Sequence, residues 1–150
     1  MKRPMSNQEK ANRLCEEYKK WKTSSLELFG FFPIFVTFKE TFLLRNLSGN
    51  ALKLYVYLGL MSKNLTGEAW VSVETIARYF ERSTRTIDNW VKELEEIGLI
   101  ERMQMKPNDV AHTYLRPYGL EYIEKPGNLQ KKKRKRVNVS SDISDDDIPY

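Results

Sequence analysis

The chain has 150 residues, 41% hydrophobic and 30% charged, with a net charge of +5, enough for one domain with a core of its own plus tails. Its single cysteine, Cys15, excludes an internal disulfide and fits a reducing compartment. No apolar run approaches the roughly 20 residues of a membrane helix, and the start, MKRPMSNQEK, lacks the apolar core of a secretion signal, so a soluble cytoplasmic protein with no membrane partner is expected.

Ser6-Asn7-Gln8-Glu9 has capping-box spacing, and Ala11, Leu14, Tyr18 and Trp21 follow at intervals of three and four. The pattern predicts an amphipathic helix within residues 1–25, ending near Thr23. Short single helices rarely stand alone, so the stripe is expected to pack on its own domain. The alternative is a dimerisation or partner helix. Cys15, beside the stripe, reads as a small apolar residue.

Residues Leu26 to Leu47 are dense in aromatics: Phe29, Phe31, Phe32, Phe35, Phe38 and Phe42. Gly30 and Pro33 argue against one continuous helix, and Ile34 to Phe38 is predicted as a short strand followed by a helical turn through Leu44. Only Lys39 and Arg45 lie among these rings, which favours core packing over base stacking. Ser48 then caps a helix, ALKLYVYLGLMSKN, with Leu52, Tyr55, Val56 and Leu60 on one face. Ala69-Trp70-Val71 is predicted as a short strand that pairs with a later hairpin.

SVETIARYF follows, with Ser72 at the N-cap and Val73, Ile76, Ala77 and Phe80 at helical spacing. After a break at Glu81-Arg82-Ser83 comes TRTIDNWVKELEEIG, capped by Ser83 and ended by Gly98. Its buried stripe is Ile87, Trp90, Val91, Leu94 and Ile97. Two short helices across so tight a turn must cross steeply, which is helix-turn-helix geometry. LIERMQM and VAHTYL flank Lys106-Pro107-Asn108-Asp109 as a strand, a turn and a returning strand.

This order resembles a winged helix-turn-helix domain: mainly α with a small β-hairpin wing (α+β), over residues 26–122, behind the N-terminal helix. From Phe35 to Tyr114 the pattern VTFKETFL, LSGNALKLYVYL, TIARYF, TRTIDNWVKELEEIGLI is similar to the winged-helix domains of plasmid replication initiators and related phage replication proteins. Bacterial transcription factors share the T-I-x-x-W-V-x-x-L-E-x-x-G-L-I run.

In such a domain the second helix lies in the major groove with its N-terminal residues against base edges. Those residues are Ser83, Thr84, Arg85 and Thr86, with Asn89 one turn on and Lys92 farther along. Arg85 suits guanine and Asn89 adenine, while Ser83 and Thr84 suit a phosphate at the helix start. Asp88, Glu93 and Glu96 are expected to turn away. Lys106 and Asn108 at the wing tip, with Arg102 at its base, are placed to reach the minor groove or flanking phosphates. The competing assignment is structural: Arg82 and Arg85 paired with Glu81, Asp88 or Glu74 at the surface. His112, the only histidine, falls in a predicted strand, where a satisfied or exposed side chain is the default. A triad, a metal cluster and a glycine-rich phosphate loop are absent, so no enzyme, metal or cofactor is expected.

Residues 123–150 lose periodicity and are predicted to be a disordered tail. Residues 131–136 are all basic, KKKRKR, and residues 137–150 hold four aspartates and no base. What remains, residues 1–130, carries 19 bases against 16 acids, a net of +3, so nucleic-acid affinity must come from local patches. The basic run would add salt-sensitive phosphate contacts. The end, Asp142 to Tyr150, closely resembles the acidic C-terminal tip of bacterial single-stranded-DNA-binding proteins, in the form seen in low-GC Gram-positive bacteria. That resemblance makes Asp145, Asp146, Asp147, Ile148, Pro149 and Tyr150 the partner-binding residues, with Tyr150 where the family has phenylalanine.

The two modules together imply a site-specific reader of double-stranded DNA from a plasmid, phage or conjugative element. Its tip would recruit host DNA-processing proteins such as a helicase, primosome or repair factor, by tethering. A homodimer would fit a near-palindromic site. The alternative is a transcriptional regulator whose tail is solubilising or autoinhibitory.

Overall fold

Each of the four long helices starts at a serine whose hydroxyl accepts the backbone N–H three residues on. These are α1 (Asn7–Leu28), α4 (Gly49–Met61), α5 (Val73–Phe80) and α6 (Thr84–Glu96), capped by Ser6, Ser48, Ser72 and Ser83. Such a cap satisfies one of the amides that a helix start leaves without a partner. At α1 the box is complete, because Glu9 accepts the Ser6 amide in return at 2.7 Å. The computed structural model describes residues 1–120; the basic run, the tip from Asp142 to Tyr150 and the domain limit at residue 122 lie outside the described residues.

The remaining elements are two single turns, α2 (Thr37–Glu40) and α3 (Leu43–Asn46), and three strands, β1 (Glu68–Trp70), β2 (Ile100–Met103) and β3 (His112–Leu115). The strands form one antiparallel sheet in the order β1-β3-β2, with Arg102 and Ala69 flanking Thr113 from either side. The fold is a winged helix-turn-helix, mainly helical with a small antiparallel sheet, as expected.

Its core is built from α4, α5 and α6 closed by the sheet. Leu54, Leu58, Ile76, Ile87 and Leu94 are wholly buried, with Trp90 and Val91 beside them. Phe38 stacks on Tyr55 with ring centroids 5.4 Å apart and meets Tyr118 edge-on at 5.3 Å. Burial raises the Tyr55 phenol above its ordinary range, and Tyr118 beside it adds to the shift. Tyr118 also accepts the Phe35 amide at 2.9 Å, tying the chain after β3 back to the aromatic segment.

Four expectations are corrected. Ile34 to Phe38 is not a strand: the chain enters α2 at Thr37, and the Phe35 amide is taken by Tyr118 rather than by a neighbouring strand. The helical turn beyond it is split into α2 and α3 by Phe42, which sits in the left-handed region at φ 62°. The buried face of α4 is Ala51, Leu54, Tyr55, Leu58 and Gly59, not the face of Leu52 and Leu60. Leu60 is exposed, and Gly59 lies on the core side because the Phe32 ring rests where a β-carbon would stand. Of the six phenylalanines between residues 26 and 47, Phe38 alone is buried, Phe32 is partly so, and the other four are exposed.

The fourth concerns α1, which runs to Leu28, five residues past Thr23 and beyond the expected limit at residue 25. It buries no residue; Leu14, Tyr18 and Trp21 are each more than half exposed. Among the described residues, the expected burial of its stripe against the domain is not found.

The core assignment makes a stability prediction. Leu94 belongs to α6 and is wholly buried, so Leu94→Ala should cost about 2–5 kcal/mol, read as a lower urea midpoint at unchanged slope.

Candidate nucleic-acid interface

The turn between α5 and α6 is three residues long, Glu81 to Ser83. Glu81 ends α5 in the left-handed conformation (φ 53°, ψ 48°), and the Arg82 amide reaches back to the Ala77 carbonyl at 3.0 Å. Glycine favours such a closure; glutamate there costs on the order of 1 kcal/mol of backbone strain, which the packed helices on both sides hold in place. Ser83 then opens α6, accepting the Thr86 amide at 3.2 Å, and its hydroxyl lies 2.9 Å from that of Thr86.

Helical periodicity divides α6. Ile87, Trp90, Val91 and Leu94 are buried, which leaves Arg85, Asn89 and Lys92, spaced four and three apart, exposed on the other side. Thr84 is exposed as well, while Thr86 is partly buried and engaged with the cap. The fold thus gathers Arg85, Asn89 and Lys92 on one open face, with Ser83 and Thr86 shaping its start; Thr84, seven residues before the buried Val91, stands at the edge of that face and is exposed because it opens the helix. The turn adds Arg82, also exposed, which stood outside the expected contacts; its place immediately ahead of the cap was the available signal.

The acids around this face differ in direction. Glu93 accepts the Ser48 hydroxyl at 2.7 Å and is thereby turned to the start of α4, where a negative charge also meets the helix dipole favourably. Asp88 and Glu96 are exposed, and Glu96, four residues after Lys92, falls on the same stripe as Arg85, Asn89 and Lys92, so the expectation that it turns away is corrected. Asp88 lies close enough to the wing for its charge to act on Arg102.

The wing carries Lys106 and Asn108 at its tip, both exposed. The Asp109 amide bonds to the Lys106 carbonyl at 3.2 Å around Pro107 and a left-handed Asn108 (φ 63°). Proline second and a positive φ third is the pattern of a type II turn, and asparagine tolerates that φ.

Arg102 departs from expectation. Its guanidinium points inward, donating to the Thr113 hydroxyl at 3.1 Å and lying 3.5 Å from the Val71 carbonyl through both terminal nitrogens. Burial pulls this group below its ordinary range, while Glu95, Asp88 and Glu74 act in the opposite sense and favour its charge. Thr113 is wholly buried, and Val71 directly precedes the cap of α5. Arg102 therefore fastens the wing to the start of the helix-turn-helix and is not free to reach a phosphate.

On the other side of the sheet, His112 stacks on Trp70 at 4.5 Å, and the Lys63 ammonium stands 4.9 Å from the Trp70 ring. His112 Nδ1 is 3.2 Å from Glu68 Oε1. The two make a close polar contact beside the Trp70 ring. Hydrogen bonding from the Trp70 indole holds the Glu68 carboxyl below its ordinary range, with Tyr114, Lys63 and His112 adding to that effect and desolvation opposing it. Glu68, Trp70 and His112 contact one another on this side of the sheet, and the cluster is the wing's own polar brace. Among the described residues no group of three His, Cys, Asp or Glu is placed to hold a metal ion, and no helix is long and apolar enough to cross a membrane.

The family model of a helix-turn-helix domain matches residues 45–100, a little over a third of the chain, from α3 through α6 to the first residue of β2. No curated protein matches the sequence. Among solved structures, a MarR-like transcriptional regulator from Thermotoga maritima is 18% identical with a TM-score of 0.42, covering 96% of this chain and 87% of its own. The S. aureus MepR–DNA complex is 14% identical at a TM-score of 0.40, over 93% and 84%. The regulator BldR from Sulfolobus solfataricus is 15% identical at 0.39, over 93% and 90%.

The two arginines should separate by experiment. Arg102→Ala leaves Thr113 and the Val71 carbonyl without their partner and should lower stability by about 1–3 kcal/mol in urea unfolding. Arg85→Ala, on the open face, should stay within about 0.5 kcal/mol of the parent.

Proposed function

We propose that this chain is a sequence-specific double-stranded-DNA-binding protein that acts as a regulator at its site. One observation carries this: α6 is seated by an apolar stripe and presents Arg85, Asn89 and Lys92 on a single open face behind a capped N-terminus where Thr84 is exposed. A guanidinium and a carboxamide on one helix face match the donor and acceptor pattern of the major groove. The free amides and positive dipole end at Ser83 favour a phosphate at the edge of that groove. Lys106 and Asn108 extend the contact to the flanking backbone, and Arg82 adds a cation at the turn. Arg102 contributes by holding the wing.

A second role rests on the sequence of the tip. Asp145 to Asp147 followed by Ile148, Pro149 and Tyr150 combine acidic residues, an apolar pair and an aromatic ring, chemistry suited to a basic-rimmed apolar pocket on a host DNA-processing protein. The DNA-bound chain would then raise that protein's concentration at the site. The regulator role requires the described domain alone; recruitment requires the tip as well.

Binding is tested by mobility shift and fluorescence anisotropy on a site selected from random duplex. Arg85→Ala and Asn89→Ala should each lose about 1–3 kcal/mol and relax specificity at one position. Lys106→Ala should weaken all sequences equally and reduce the slope of log affinity against log salt by about one. Unchanged affinity in all three sinks the proposed face.

The recruiting role is read separately, by comparing proteins retained from a Gram-positive bacterial lysate by the full chain and by a version ending at Asp147. Loss of helicase, primosome or recombination proteins from the shorter chain supports recruitment. Identical sets leave regulation alone.

A further inference from the structure

We propose that α1 is a dimerisation helix, pairing in parallel with α1 of a second copy of this chain. The stripe reads Ala11, Leu14, Tyr18, Trp21, Ser25 and Leu28, separated by 3, 4, 3, 4 and 3 residues. That alternation keeps one seam facing a partner along the whole helix and is the a and d pattern of a two-stranded coiled coil. Within its own chain the seam covers little. No residue of α1 is buried, only Lys22 and Ser25 are even partly so, and Leu14, Tyr18, Trp21 and Leu28 are 58, 56, 63 and 73% exposed.

Most helical stability in proteins comes from packing an apolar face rather than from propensity, and burying the seam supplies that packing. The four side chains offer on the order of 500 Å² per chain, so roughly 1,000 Å² across a symmetric pair, at the lower end of specific interfaces. The exposed ring of Phe29 follows directly in sequence at the helix end.

Charge selects a second copy in one orientation. With Ala11 at a, Glu17 falls at g and Lys22 at the next e. In a parallel pair, g of one helix faces the e five residues on in its partner, so Glu17 meets the partner's Lys22, twice by symmetry. The two antiparallel registers that bring Leu14, Tyr18 and Trp21 together do worse: one sets Glu17 against the partner's Glu17, the other against the partner's Ser24. Within one chain Glu17 stands 3.5 Å from Arg13 with both side chains mostly exposed. A pair so wet holds little energy and yields to the interchain contact, as must the interaction that Lys22 makes within its own chain.

Sedimentation equilibrium of the full chain tests this. The parent should show twice the 17.7 kDa chain mass at micromolar concentration, and Trp21→Glu should be monomeric with the helical circular dichroism of the body retained. Glu17→Lys and Lys22→Glu should each weaken dimerisation about three- to tenfold, and the double variant should return within about twofold of the parent. A parent that stays monomeric at about 100 μM, far above micromolar dissociation constants, overturns the proposal. So does a dimer indifferent to Trp21→Glu, and so do single exchanges that fail to rescue each other.

Discussion

Helix α6 has to be held firmly along one side and left bare along the other, and its 3.6-residue repeat is what permits both. Ile87, Trp90, Val91 and Leu94 pack against α4 and α5, so the rotation of α6 about its own axis is set by core packing. Once that rotation is fixed, Arg85, Asn89 and Lys92 have nowhere to point but outward. The interior of a protein tolerates little change in volume, so the exposed face inherits the rigidity of the buried one. The turn does related work at the N-terminal end. Glu81 accepts a left-handed conformation, and the hydroxyls of Ser83 and Thr86 lock the first turn of the helix, the turn a base edge or phosphate would meet.

The wing depends on a half-buried cation. Arg102 lies across the register from Thr113 and beside the Val71 carbonyl, just ahead of the cap of α5. Its planar fork serves a hydroxyl and a carbonyl together, which a lysine ammonium on its flexible stem does with less order. Taking that charge out of water is costly unless polar groups receive it, and Glu74, Asp88 and Glu95 supply opposing charge at a distance. One of these, Asp88, sits on the exposed side of α6. The acid on the reading helix therefore has a structural reason to be there, although it faces the same solvent that a phosphate backbone would occupy.

How much of this was legible in the sequence follows from where each signal comes from. Serine caps are local, and Ser6, Ser48, Ser72 and Ser83 all stand where the structure puts them. The stripe of α6 was equally clear because its opposite face is polar. Helix α4 is apolar nearly all round, so its sequence could not say whether Leu52 or Leu54 faces inward; the Phe32 ring over Gly59 and the Tyr55–Phe38 stack decide it. The strand expected at Ile34 to Phe38 failed because a strand is made by its neighbour, and the partner of the Phe35 amide is a tyrosine hydroxyl from 83 residues away. Arg102 was legible in part. It lies two residues after Ile100, which is buried, and alternation puts both on one face of the strand. Its basic character pointed outward and its position pointed inward; position prevailed.

The separation of α1 from the core has a geometric consequence for recognition. The buried cluster begins at Phe38, and α1 ends at Leu28, so the helix lends nothing to the body's own packing. A symmetric pair joined along α1 would relate two α6 faces by a two-fold axis, and a two-fold reader meets a two-fold site. Residues 1–130 carry a net charge of only +3, too little for one body to rely on long-range attraction to phosphate. Two copies held at fixed spacing make the second contact intramolecular, which multiplies affinity without adding charge. The apolar seam outside the core and the nearly neutral body are, in physical terms, compatible halves of one arrangement: modest contacts per copy, made selective by being presented twice.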